Sequence, residues 1–287
     1  RKDSVVWAEA HWNIAAYYIN QQNYSQAYAH YHKARDGFSQ KRHPYYEAKM
    51  NYNMAFIKGR LKEYTASEAL IYQALPYFKN NAKPLPLYRS YTQLGFLNEE
   101  LENLDKAQDF HRKAHAVIGQ TKEYSHQLGS LNNLGLIAHK RQEYPLAISL
   151  YEAALRAEKG LDTDHALKAR LLANYAYCLF KAKQEGFLKV AEEAYVIRKQ
   201  IGNEEGIINS QLHLGEMYAS AKAKNKGISL LLEAVKRARQ INLKREWLNG
   251  LLLLAKYDPI NGLKYIEEWQ QINREVEHAL RKQRHKV

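Results

Sequence analysis

Apolar and small residues recur along this chain at helical spacing, and the pattern returns about every 40 positions. Residues 132–154, NNLGLIAHKRQEYPLAISLYEAA, carry Gly135, then Tyr144, Ala147, Tyr151 and Ala154. Forty residues earlier the same places hold Gly95, Leu104, Ala107, His111 and Ala114, and forty before that Ala55, Tyr64, Ser67, Ile71 and Ala74. The first copy has Ala15, Tyr24, Ala27, Tyr31 and Ala34, while Ala176, Gly215 and Ala255 continue the series forward. Seven units in one phase predict seven helical hairpins. In each, a small residue in the first helix lets the second approach closely, and an aromatic such as Tyr24, Tyr64 or Tyr144 caps the turn with a buried ring. The breaks between hairpins, SQKRHP, KNNAKPLP, GQTKEY, GLDTDH and IGNEEG, are polar and supply turn-forming Gly, Pro or Asn.

Two units depart from the pattern. The fifth shifts its second helix and puts Gly186 at the turn, and the seventh turns early at Pro259. After that turn Ile266, Trp269, Ile272, Val276 and Leu280 form a narrow apolar stripe on a helix whose end, RKQRHKV, is basic. The expected organisation is therefore a repeat array over residues 1–261 and a capping helix over 262–287 that runs on as a basic linker or coiled-coil helix. The chain begins at Arg1 rather than Met and reads as part of a longer protein.

The pattern resembles the tetratricopeptide repeat (TPR), in which a small residue of helix A faces an alanine of helix B with an aromatic between them. The resemblance implies an all-α, right-handed solenoid of about seven hairpins with a long C-terminal helix. It also implies a concave face lined by the first helices.

On that face one position stands out. The residue two places before the small crossing residue is Asn13, Asn53, Gln93, Asn133, Asn174 and then His213. A carboxamide offers both an acceptor and donors, so successive amides along a groove can hold the C=O and N–H groups of an extended peptide whatever its side chains. The competing reading is structural, with the amides bridging neighbouring helices. Asn132 has no such series, since its equivalents are Trp12, Tyr52 and Thr92. Beside the carboxamides, Lys49, Arg89, Arg60 and Lys140 add positive charge, and Tyr52, Phe56, Phe96 and Tyr177 add aromatic surface. Basic flanks suit a carboxylate.

Composition narrows the classes. Lys and Arg number 43 against 30 Asp and Glu, a net charge of +13 that favours anionic partners. The lining is mixed, with Glu9, Glu99, Glu100 and Glu216, whereas nucleic acid would require a continuous basic stripe, so no nucleic acid is expected to bind here. The richest apolar run, WLNGLLLLAKY, is too short to span a membrane, so a membrane enters only through flanking segments. One cysteine, Cys178, excludes an internal disulfide and reads as a buried small residue. His111 and His115 share a helical face without a third ligand, so no metal, cofactor or catalytic site is expected.

Two families with this architecture bear on function. The C-terminal stretch is similar to the end of TPR sensors of bacterial membrane-anchored regulators with histidine-kinase or helix-turn-helix output. The 40-residue repeats and groove asparagines are similar to the cytoplasmic Rap-type peptide-pheromone receptors. Both imply a non-enzymatic sensor or adaptor that holds a peptide or protein segment, one the basic flanks allow to be acidic. The first resemblance tilts the compartment, otherwise open, toward the extracytoplasmic side. The alternative is an assembly scaffold that forms a homodimer through its C-terminal helix.

Overall fold

A computed structural model describes residues 5–158, 165–221 and 223–285. Among these, all regular structure is α-helical and falls into seven consecutive pairs. They are α1 (Val5–Asn20) with α2 (Tyr24–Gln40), α3 (Pro44–Arg60) with α4 (Tyr64–Asn80), α5 (Pro84–Glu100) with α6 (Leu104–Ile118), and α7 (Tyr124–Lys140) with α8 (Tyr144–Glu158). The series continues through α9 (His165–Lys181) with α10 (Phe187–Ile201), α11 (Glu204–Ser220) with α12 (Lys224–Gln240), and α13 (Lys244–Tyr257) with α14 (Gly262–Arg284). This is the all-α TPR solenoid that the repeat implies. The inter-repeat break GLDTDH lies, apart from His165, outside the described residues.

The small residues act as the pattern requires. A Cβ on Gly95 would stand 2.5 Å from the His111 ring, one on Gly135 2.7 Å from the Tyr151 ring, and one on Gly215 2.7 Å from Leu231. Ala15, Ala27, Ala55, Ala107, Ala147 and Ala176 are fully buried. At the fourth-helix counterpart of Ala27, Ser67 uses the close approach differently, donating its hydroxyl to the Ala55 carbonyl at 2.6 Å. Of the turn aromatics, Tyr24 is buried, while Tyr64 and Tyr144 are only half-buried.

Helix pairs are joined by a tight left-handed cap. Gln22, Lys62, Glu102, Gln142 and Lys183 within hairpins, and Arg42, Ala82 and Asn242 between them, all have φ between 47° and 62°. The amide after each closes back on the helix it leaves, as in Asn23 N–H to the Tyr18 carbonyl and Glu63 N–H to the Lys58 carbonyl, both 2.9 Å. Side-chain-bearing residues take this conformation at a cost of about 1–2 kcal/mol each, so the turn geometry is imposed by packing of the flanking helices rather than by glycine. The Gly186 turn does use glycine, at φ 84°.

The contacts divide the chain into two units, residues up to Ser130 together with those from Ala279 onward, and Leu131–His278. In the first, Tyr31, Phe38, Met50, Met54, Ile57, Leu61, Ile71 and Leu94 form the centre of the core, with Trp12 and Leu280 against it. Arg284 adds a hydrogen bond to the Leu61 carbonyl within the same unit. In the second, Ile208, Leu212, Leu231, Val235, Trp247, Leu251, Leu254 and Ile272 cluster, with Trp269 and Val276 leaning on them. The apolar stripe of α14 is thus used inside the chain. The early turn at Pro259 is held by Asp258, whose carboxylate accepts hydrogen bonds from Asn261 and the Tyr265 hydroxyl, each 2.9 Å.

Candidate functional site

In the first unit the first helices α1, α3 and α5 carry three carboxamides at one register. Asn13 is exposed, Asn53 and Gln93 are partly buried, and none has a hydrogen-bond partner among the described residues. The Gln93 Oε1 atom is buried and still unpartnered. One turn earlier on the same faces stand Lys49 and Arg89. The Lys49 Nζ lies over the Trp12 ring at 4.3 Å, and burial, together with the Arg89 charge, lowers its pKa. Tyr52 is largely enclosed, and burial raises the pKa of its phenol. Phe56 and Phe96 remain 42% and 43% exposed, enough for each ring to present a face to a ligand. Arg60 instead reaches α2, where its Nε donates to the Tyr24 hydroxyl at 3.3 Å.

The second unit treats the same register in three ways. Asn133 has no partner among the described residues. Asn174 is engaged, its Nδ2 donating to Asn132 Oδ1 at 2.7 Å, and Asn132 is almost wholly buried. This rung bridges α7 and α9, so the structural reading holds for it. His213 stacks on Tyr177 at 4.6 Å, and Tyr177 stacks in turn on His139 at 5.6 Å. Burial, with the Arg198 charge behind it, pushes the His213 pKa down to about 4, and burial with Lys181 lowers that of His139. Both rings are therefore neutral near pH 7. Lys140 is exposed.

A carboxylate anchors this stack. Glu216 accepts from the Tyr177 hydroxyl at 3.0 Å and from Lys181 Nζ at 2.8 Å, with Lys256 at 3.6 Å. Burial works against the charges of both Glu216 and Lys181. Their mutual hydrogen bond outweighs it, lowering the carboxyl pKa and pushing the ammonium up to about 12. Sequence spacing did not single out His139, Lys256 or Asn132. Glu216 shares the register of Phe96 and Tyr177, one place after the crossing residue, and that register was the available signal.

The other chemistry-bearing residues are occupied by packing. His111 pairs with Glu99 at 2.7 Å beneath Gly95, and His115 with the Ser130 hydroxyl at 2.7 Å. Cys178 is buried, its thiol pushed up to about 11 by desolvation. Among the described residues no three or more His, Cys, Asp or Glu side chains gather as metal ligands.

No family model matches the sequence, and no curated protein sequence matches it. Solved structures do. The apo form of RapI is 13% identical, with 98% of this chain and 99% of that one covered at a TM-score of 0.76. The fold resembles that of the Rap proteins. A Rap conjugation gene regulator of the plasmid pLS20, in complex with the Phr* peptide, is 14% identical, covering 94% of this chain and 74% of that one at a TM-score of 0.72. Aspartyl phosphate phosphatase F from Bacillus subtilis is 15% identical, covering 94% and 71% at a TM-score of 0.75. Identities this low establish the architecture and leave the role to the site.

The expectation of an extracytoplasmic sensor is corrected by these comparisons. Structures that share the fold along almost the whole chain include Rap proteins, the resemblance that implied the cytoplasmic side. No helix among the described residues is long and apolar enough to cross a membrane.

Proposed function

We propose that this TPR solenoid is a non-catalytic peptide receptor of a signalling regulator, gripping an extended segment by its backbone through Asn13, Asn53 and Gln93. The observation that carries this reading is that these three amides share one register and none has a partner among the described residues. The buried, unpartnered Gln93 Oε1 forgoes about 1–3 kcal/mol of hydrogen bonding that a ligand would restore. The peptide seen with the similar pLS20 regulator supports the same class of ligand. The engagement of His111, His115 and Cys178 in packing supports a binding rather than a catalytic role.

A screen of short synthetic peptides against the full chain tests this. Wild type should retain a subset, and the combined Asn53→Ala and Gln93→Ala variant should lose them at least about tenfold while melting at the same temperature. A variant that melts early yet retains its peptides would sink the proposal.

A further inference from the structure

The first unit holds two cations that no carboxylate answers. Lys49 on α3 and Arg89 on α5 occupy the same place in successive repeats, and neither makes an ion pair among the described residues. Glu9, at the equivalent place on α1, and Glu47, on α3 itself, pair with neither. Lys49 is partly buried against Trp12, and its charge is disfavoured first by that burial and then by Arg89. The second unit is the contrast, because there Lys181 and Lys256 both face Glu216. A partly desolvated lysine facing a like charge is disfavoured in a folded chain, and an anion relieves it.

The rest of the face gives that anion a context. Asn53 and Gln93 follow the cations by four residues, and the exposed rings of Phe56 and Phe96 follow the amides by three. These spacings set cation, carboxamide and aromatic side by side along each helix. A peptide backbone laid on the amides is extended, so its successive side chains point to opposite sides.

Resting on the peptide reading above, we propose that the first unit selects a segment presenting a carboxylate between Lys49 and Arg89, with an adjacent apolar side chain on Phe56 and Phe96. The carboxylate is an acidic side chain or the peptide's own C-terminus, and both are the same chemistry to this pair of cations.

The test uses fluorescence polarisation on the full chain with three short labelled peptides. One alternates aspartate and leucine with blocked ends, the second has asparagine for aspartate, and the third is the asparagine peptide with a free C-terminal carboxylate. The aspartate peptide should bind about tenfold tighter than its blocked asparagine counterpart, as a charge-assisted contact predicts. A gain confined to the third peptide assigns the site to the chain terminus. Lys49→Met with Arg89→Gln should bring the preferred peptide down to the affinity of the blocked asparagine peptide. Arg89→Gln alone, at an exposed position, should cut the preference several-fold and guards against misfolding at Lys49. Equal binding of all three peptides overturns this inference and leaves the peptide reading standing. A preference untouched by both variants overturns the assignment to these residues, and binding of none overturns the peptide reading itself.

Discussion

Asn132 and Asn133 are neighbours in sequence with opposite fates, and the reason is which way each points. Asn132 is almost wholly buried and accepts a hydrogen bond from Asn174, while Asn133 has no partner among the described residues. His213 marks a third outcome, since it replaces the carboxamide with a stacked imidazole. Its pKa of about 4 in the fold lies below the ordinary 6.5, so the unfolded chain binds the extra proton. The stability this holds is fully present above about pH 6.5 and is lost as pH falls toward 4, at most about 3 kcal/mol from this one group. Lys181 and Arg198 oppose the proton, as does His139 once it is itself protonated, and Glu216, already held by Lys181, favours it. Replacing His213 by glutamine restores a carboxamide and removes that proton. Melting temperatures measured from pH 7 to pH 4 should then fall less steeply for His213→Gln than for wild type, and parallel curves would refute the assignment.

At the scale of the element, the same register does two jobs, and stability should separate them. Asn174→Ala removes the donor that links α9 to α7 and leaves the buried Asn132 Oδ1 unsatisfied. Denaturant unfolding should show a loss of about 1–3 kcal/mol. Asn133→Ala breaks no hydrogen bond among the described residues and should stay within about 0.5 kcal/mol of wild type. Equal losses would mean that both amides are structural. Helix positions were legible from sequence because each pair repeats the same contact. Gly95, Gly135 and Gly215 sit where the second helix leaves no room for a Cβ, and that need recurs at a fixed period. The left-handed caps were not legible, because Lys62, Ala82 or Glu102 carries no local preference for φ above zero.

Across the whole molecule, an excess of 13 positive charges attracts acidic peptides before any contact is made. Association of the aspartate–leucine peptide should slow by about tenfold from low to physiological salt, with dissociation little changed, in stopped-flow measurements. A salt-independent association rate would remove steering from the account. The expectation of an outward-facing sensor failed at this scale. It rested on the seventh repeat running into a basic helix, a local likeness, whereas the fold along almost the whole chain is shared with Rap proteins. The basic end of that helix is not a free extension either, since Leu280 and Arg284 pack within the first unit.

The sequence alone determined the hairpins, their number, their phase and the row of carboxamides, because each depends on spacing along one helix and that spacing is written residue by residue. Only the tertiary structure decided which amides are spent. It also decided that Arg60 turns to Tyr24 and that Glu216 answers Lys181, while Lys49 and Arg89 find no carboxylate among the described residues. Those outcomes depend on side chains from different repeats meeting at hydrogen-bond distance, and about forty residues of sequence separation carry no record of that meeting.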